Sequence, residues 1–335
     1  MFFGSIPVNK AEGAILAHAV RQGELVMKKG RILSAMDCAA LAHAGVVSII
    51  GARLEDGDIG EDVAAARAAA TLAGDHLRCE PPSTGRVNLF AEQAGILIAD
   101  EPRIDRFNSI DESLTFATLS HLKPVEAGEM VGTVKVIPFA VPESLLTHAI
   151  VEAGGAALRV APFKVKSVAV ISTLLPGLKP SIVTKTVSVL AKRLAKAQAQ
   201  IIADVSCDHH EAALQRALRD VAQLKPDLII VFGASAITDR RDVIPAALEA
   251  EGGSITQFGM PVDPGNLLLI GSLNSIHVIG APGCARSPAE NGFDWVLDRL
   301  LADIEVSAQD IRRLGVGGLL MEIVQRGHPR AGGEP

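Results

Sequence analysis

The sequence predicts an α/β protein in which a three-layer αβα domain with a mostly parallel sheet follows a mixed α+β domain. From about residue 161 onward, short apolar runs alternate with longer segments of helical pattern, which is typical of a parallel sheet covered on both faces. Before that point, glycine and proline bound many short strand-like segments. Because 335 residues exceed the usual size of a single core, we expect domains over 1–160 and 161–325 and a disordered tail over 326–335.

Composition limits the class of protein. Apolar residues make up 48% and charged residues 21% of the chain, and the mean hydropathy is +0.30, so large buried cores and self-association into a homo-oligomer are expected. No uninterrupted apolar run of about 18 residues occurs, which argues against a membrane partner. The opening MFFGSIPVNKAEG lacks the pattern of a signal peptide. We therefore expect a cytoplasmic protein.

Charge and cysteine content exclude further classes. The net charge of −6 and the aromatic content of 3% are unfavourable for binding nucleic acid. The four cysteines are scattered without paired spacing, so neither a disulfide framework nor a zinc site is expected. The segment CDHH, residues 207–210, combines metal-ligating residue types, but its place between a strand and a helix favours Asp208 as a helix cap. No metal site is therefore predicted.

The first domain is expected to combine helices with a small β half-barrel. We predict a helix at about 37–43, a strand over 46–50 and an alanine-rich helix that ends at Gly74. Residues 11–20 fit either a short helix or a strand pair. Between Leu77 and Phe139, Gly-bounded strands flank a helix-like insert over 104–119.

One segment of this domain, ATLSHLKPVEAGEMVGTVKVIPF, resembles the hairpin of a biotinyl-type barrel. It lacks the Met-Lys-Met sequence around the carrier lysine of such proteins. We therefore interpret Lys135 as an ordinary exposed strand residue.

In the second domain the strands predict where a ligand binds. We expect strands over 167–172, 201–205 and 228–232, and helices over 183–199 and 209–224. The carboxyl ends of parallel strands meet at one edge of a sheet, where ligands bind in open α/β folds. Four loops are expected to gather there: residues 173–181, 233–242, 259–266 and 281–288.

The stretch DLIIVFGASAITDRRDVIP, residues 227–245, is central to this expectation. Its apolar strand ends in a turn of small residues, which lets backbone N–H groups approach a phosphate or a flat heterocycle. The charged residues that follow allow two interpretations. Asp242 can bind a ligand or only cap the next helix, and Arg240 and Arg241 can bind phosphate or form a solvated turn.

Three loops carry a resemblance to the molybdenum-cofactor biosynthesis (MoCF) domain of molybdopterin adenylyltransferases and molybdenumtransferases. GASAITDRRDVIPAAL resembles the phosphate- and pterin-binding loop, VIGAPGCARSP a later Leu-Pro-Gly loop, and GMPVDPGNLLLIG a Met-x-Pro-Gly loop. The likeness covers about residues 165–305. The chain as a whole is similar to molybdopterin-binding proteins that often precede a cytidylyltransferase domain.

The resemblance implies a pterin-phosphate ligand, namely molybdopterin or the molybdenum cofactor, with Mg²⁺ possible in a transfer reaction. Asp242 and then Asp239 are the candidate catalytic residues. Cys284 can handle sulfur or be a small buried residue. The candidate cofactor-binding residues are Lys179, Gly233, Ala234, Ser235, Ala236, Arg240, Arg241, Asp263, Pro264, Gly265, Pro282, Gly283, Cys284 and Ser287.

Departures from the family pattern separate three functions. Ala234 and Ala236 occupy places where the adenylyltransferases have glycine, so a strained turn is expected if the backbone needs positive φ there. The altered turn favours a module that binds molybdopterin and presents it to a separate cytidylyltransferase. An adenylyltransferase or molybdenumtransferase enzyme is the second hypothesis, and a generic nucleotide-binding α/β protein the third.

Overall fold

A computed structural model describes residues 1–320 of the chain. It has the predicted fold class, and the described residues divide into two compact units, one over Met1–Pro162 and one that begins at Phe163. The expected tail at 326–335 lies outside the described residues. Within residues 1–320, no helix combines the length and apolar character that a bilayer span requires.

The N-terminal unit alternates short strands with four helices among its described residues. Its strands are β1 (Phe2–Pro7), β2 (Ile15–Leu16), β3 (Val20–Gln22), β4 (Leu25–Met27), β5 (Ser48–Arg53), β6 (Asp58–Gly60), β7 (Leu77–Cys79), β8 (Arg86–Ala91), β9 (Gly95–Ala99), β10 (Leu114–Thr118), β11 (Pro124–Val125), β12 (Met130–Val136), β13 (Ala140–Pro142) and β14 (Leu158–Pro162). Its helices are α1 (Ala35–His43), α2 (Glu61–Leu72), α3 (Glu101–Ser109) and α4 (Glu143–Ala153).

Two cores hold this unit together. The sheet β1-β5-β2 and helix α1 enclose the first, around Leu16 and Leu41. The second lies between helices α2 and α4 and the sheets β10-β12-β8-β7 and β11-β9-β14. Four alanines of α2, namely Ala64, Ala65, Ala68 and Ala69, are fully buried, because their small side chains let the helix lie close to the strands.

Two expected segments of this unit need correction or completion. The insert over 104–119 is not one helix, because α3 ends at Ser109 and β10 follows it. The ambiguous segment 11–20 contains strand β2 and the start of β3, and none of its residues is helical.

The interpretation of Lys135 is correct about the strand, since the residue lies in β12, but wrong about its exposure. Its side chain is only 25% exposed, and its Nζ lies 3.6 Å from the carboxylate of Glu61. The same ammonium group donates to the carbonyl of Thr84. A long side chain with two such partners is held against the protein surface. The alternation of residues along a strand does not reveal these partners.

The C-terminal unit contains strands β15 (Ser167–Leu174), β16 (Gln200–Asp208), β17 (Leu228–Phe232), β18 (Ser254–Phe258), β19 (Leu269–Leu273) and β20 (Ile276–Ala281). Its helices are α5 (Pro180–Ala195), α6 (Glu211–Gln223), α7 (Val243–Ala250), α8 (Gly292–Leu301) and α9 (Ala308–Arg312).

These strands form one six-stranded sheet of order β16-β15-β17-β20-β19-β18. The first four are mutually parallel, and β19 is antiparallel to both of its neighbours, so β18 runs in the common direction. Helices α6 and α7 pack on one face of the sheet. Helices α5 and α8 contribute buried side chains to the other layer and are joined by the pair Lys196–Asp298.

Two helix limits in this unit differ from expectation. Helix α5 begins at Pro180, ahead of the expected 183, since proline is favoured in a first helical turn. Asp208 does not cap α6, because β16 extends through it. His210 is the cap, and its Nδ1 accepts a hydrogen bond from the backbone N–H of Ala212.

Asp298 gives a testable pH dependence. Its side chain is only 7% exposed, and burial raises the pKa of the carboxyl to about 6, although Lys196 opposes the shift. The folded state therefore holds this proton more tightly than the unfolded chain, whose aspartates titrate at about 3.9. The contribution to stability is present below about pH 4 and is lost as the pH rises through about 6.

We therefore expect Asp298→Asn to abolish a decline in the free energy of unfolding of up to about 3 kcal/mol between about pH 4 and pH 7. Urea unfolding of both chains across this range measures it. Asp303→Asn, which alters a carboxylate that is 59% exposed in the pair with Lys164, is the control. Parallel curves for the native chain and Asp298→Asn would contradict the assignment.

Candidate functional site

The carboxyl edge of the C-terminal sheet forms the candidate site. Because β15, β16, β17, β18 and β20 run in one direction, the loops that follow them emerge at the same edge. These loops are residues 175–179, 209–210, 233–242, 259–268 and 282–291.

A buried threonine joins three of these strand ends. The hydroxyl of Thr173, in β15, accepts a hydrogen bond from the backbone N–H of Ala234 at 2.8 Å. Its Oγ1 also lies 2.8 Å from Nδ1 of His209, which follows β16. The start of the turn after β17 is thus attached to the two neighbouring strands.

The turn after β17 differs from the strained shape that alanine substitution suggested. Neither Ala234 nor Ala236 has positive φ, so the condition under which strain was expected is not met. Gly233 is required instead by close packing, because a Cβ there would lie 2.6 Å from the carbonyl oxygen of Ser235. The side chain of Ser235 is exposed and makes no hydrogen bond with another residue within 1–320.

The two candidate catalytic aspartates are both occupied. Asp242 caps α7: one carboxylate oxygen accepts from the N–H of Val243 at 2.8 Å, and the other from the N–H of Thr238 at 3.1 Å. Asp239 lies 2.7 Å from Arg241, whose hydrogen bond lowers the pKa of the aspartate to about 2.

The basic residues that the sequence singled out at this edge are exposed. Arg241 is 91% exposed and bonded to Asp239, and Arg240 lies 3.8 Å from Glu249 of α7. Lys179, just before α5, is exposed and has neither an ion pair nor a hydrogen bond from its side chain to the rest of residues 1–320. The observed contacts of Arg240 and Arg241 therefore match the interpretation of a solvated turn.

Arg193 of α5 holds the loop over 282–291 in place. The guanidinium donates to the carbonyls of Ala285 and Ser287, at 2.9 and 2.8 Å, and pairs with Asp294. Pro282 is buried, Gly283 is exposed, and the hydroxyl of Ser287 accepts from the N–H of Ala289.

Cys284 is half-buried in this loop. Its thiol donates to the side-chain oxygen of Asn291 at 3.6 Å, and Asn291 donates in return to the carbonyl of Cys284 at 3.3 Å. Burial raises the pKa of the thiol, which keeps it protonated and weakly nucleophilic. The small buried residue is the interpretation that this geometry favours.

The loop over 259–268 packs against the start of α8. The N–H of Gly292 donates to the carbonyl of Pro264 at 2.9 Å, and a Cβ on Gly265 would lie 2.9 Å from the Cα of Gly292. The backbone of Asp263 bonds to Gly318 and Leu320.

Sequence reasoning missed Arg286, the basic residue that reaches the central turn. It is half-buried, and its Nη2 donates to the carbonyl of Gly233 at 2.7 Å. Burial lowers the pKa of its guanidinium, and no carboxylate within residues 1–320 forms an ion pair with it. Its place in the motif APGCARSP, which follows an apolar strand-like run, was the available signal.

The described residues contain no group of three or more histidine, cysteine, aspartate or glutamate side chains arranged to hold a metal ion. The segment over 207–210 contributes a strand end and a helix cap instead.

Comparison with known proteins gives limited matches. Residues 5–53 match the family described as "Domain of unknown function (DUF8806)"; they span most of β1 through β5. No curated protein matches the chain. Among solved structures, the molybdopterin biosynthesis moea protein from Pyrococcus horikosii is 15% identical with a TM-score of 0.32, over 90% of this chain and 75% of that one. A molybdenum cofactor biosynthesis protein from Pyrococcus furiosus is 14% identical with a TM-score of 0.26, over 90% and 64%.

Two glycines of the site provide a matched stability test. Gly233→Ala places a methyl group against the carbonyl of Ser235, whereas a Cβ on Gly283 would meet nothing within 4 Å. We expect Gly233→Ala to lower the free energy of unfolding by about 1–3 kcal/mol and Gly283→Ala to change it by less than about 0.5 kcal/mol. Denaturant titration measures both values. Equal effects would show that the turn after β17 is not tightly closed.

Proposed function

We propose that the C-terminal unit binds molybdopterin or the molybdenum cofactor at the carboxyl edge of its sheet and presents it for maturation to a cytidylyltransferase. The single observation that carries the anion-binding part is Arg286, a half-buried guanidinium without a carboxylate partner within residues 1–320. The identity of the anion rests on the resemblance of the three loops.

Arg286 suits a phosphate for reasons of charge and geometry. A guanidinium has five donors in a plane and binds phosphate through two parallel hydrogen bonds. Its contact with Gly233 uses Nη2, and the other N–H groups of the guanidinium can donate to a phosphate. A partly buried cation gains more from an anion than an exposed one does, because water screens the pair less.

Two hydroxyl groups, one exposed in the turn and one buried in β15, lack a partner within residues 1–320. Ser235 is exposed in the turn and has no hydrogen bond to another described residue. Ser172, one residue before Thr173, is buried, and its Oγ lacks a partner within residues 1–320. A buried hydroxyl without a partner is uncommon and calls for an explanation, such as a ligand or water.

The pterin ring requires a different partner. A carboxylate can accept two hydrogen bonds from an amino-pyrimidinone edge. We assign this role to Asp263 on the resemblance of its loop, which packs against the helix that follows the Arg286 loop. Pro264 and Gly265 fix that loop beside α8.

The contacts of Asp242 and Asp239 disfavour a transfer enzyme. Adenylyl transfer uses carboxylates that hold Mg²⁺ beside the phosphates. Both oxygens of Asp242 accept backbone N–H groups, and Asp239 is paired with Arg241. Binding without nucleotidyl transfer is therefore the function that the geometry supports best.

Anaerobic titration of the full chain with purified molybdopterin, followed by pterin fluorescence, tests the proposal. Arg286→Met should weaken binding by about 10- to 100-fold, since it removes a charged hydrogen bond. Arg240→Met is the matched control and should change the affinity by less than about threefold, because Arg240 is exposed.

Three outcomes would contradict the proposal. Equal losses in both variants would remove Arg286 from the site. Formation of adenylylated molybdopterin with Mg²⁺ and ATP would show an enzyme. Binding of a nucleotide without binding of molybdopterin would instead support the generic nucleotide-binding protein.

A further inference from the structure

The N-terminal unit contains a cavity of about 760 Å³ that the proposed function does not use. Six chain segments contribute to its wall, from β1 to the segment between β12 and β13. Its lining includes Phe3, Lys29, Glu61, Lys135, Ile137 and Phe139.

An acid and a base lie together in this wall. The Nζ of Lys135 is 3.6 Å from Oε2 of Glu61, and the two side chains are 25% and 21% exposed. Burial raises the pKa of Glu61 while Lys135 and, more weakly, Lys29 oppose the shift. An ammonium group has three donors and a carboxylate about four acceptor positions. The pair therefore keeps hydrogen-bonding capacity beyond its mutual contact and the bond to Thr84.

Gly85 makes room for this pair. A Cβ at Gly85 would lie 2.6 Å from Oε2 of Glu61 and 2.8 Å from Nζ of Lys135, and the residue has a φ of +71°. The N–H of Gly85 is held by the carboxylate of Asp62. Only glycine lets both charged groups occupy this position beside the backbone.

The rest of the wall is aromatic and cationic. The Nζ of Lys29 lies 5.7 Å from the centre of the Phe139 ring, and no carboxylate of the described residues forms an ion pair with Lys29. Phe3 and Ile137 are 56% and 57% exposed at the cavity. A flat ring can stack on such side chains, while Lys29 remains able to bind an anionic substituent.

We propose that this cavity binds a flat nitrogen heterocycle through an amino-pyrimidinone edge, the edge that guanine and pterins share. Glu61 accepts hydrogen bonds from the adjacent ring N–H and amino group, and Lys135 donates to the neighbouring carbonyl. The ring lies against Phe139, and Lys29 contacts a phosphate substituent where one is present. The proposal is independent of the molybdopterin site, because the two sites share no residue.

Calorimetric titration of the full chain with guanosine monophosphate, neopterin and adenosine monophosphate tests it. We expect the first two to bind and the third to bind at least about tenfold more weakly, because its edge has no carbonyl for Lys135. Glu61→Gln should weaken both ligands by about 10- to 100-fold. Lys29→Met should weaken only the nucleotide, which separates a phosphate-bearing guanine from a free pterin.

Controls separate binding from folding. Lys123→Met and Glu129→Gln alter a matched pair of the same unit, 3.1 Å apart and outside the cavity, and should leave both affinities unchanged. Ile137→Trp fills the mouth at an exposed position and should abolish binding while the Glu61–Lys135 pair remains.

The inference is overturned if neither guanosine monophosphate nor neopterin binds, or if adenosine monophosphate binds equally well. It is also overturned if Glu61→Gln and Ile137→Trp bind like the native chain. Arg286→Met should leave both affinities unchanged, and a loss there instead would place the ligands in the C-terminal unit.

Discussion

The candidate site depends on the guanidinium of Arg193. From α5 it holds the carbonyls of Ala285 and Ser287 and the carboxylate of Asp294, a combination that suits its planar set of five donors. These contacts restrain the loop after β20, and Arg286 extends from it to the central turn. Without this support, the loop would lose the contact between two strand ends, and the half-buried cation would have no fixed position.

The edge of the sheet was predictable, but the contacts along it were not. Continuous apolar runs such as Leu228–Phe232 are characteristic of strands buried on both faces, and parallel strands bring their following loops together. The roles of Asp242 were not separable in the sequence, because capping and ligand binding require the same residue before a helix. Arg286 was missed because its partner, Gly233, is 53 residues away along the chain.

In the N-terminal unit, local signals conflicted. Asp100 and a proline in the first turn begin α3 as the rules of capping require, but the expected helix was extended across a strand. The alternation of buried Leu114 and Phe116 marks that strand. The ion pair of Lys135 depends on Glu61, which is distant in sequence. Such pairings are set by tertiary structure and leave no periodic pattern.

The partial burial of Arg286 has a consequence for ionic strength. At physiological salt, charges on the surface are screened beyond about 8 Å, whereas partly buried charges are screened much less. Exposed Arg240 and Arg241 therefore lose most of their attraction for a dianion in the presence of salt, and Arg286 retains more of it. The proposed site would attract anions through a cation whose own hydration is already reduced, so inorganic phosphate in a buffer would compete for the same position.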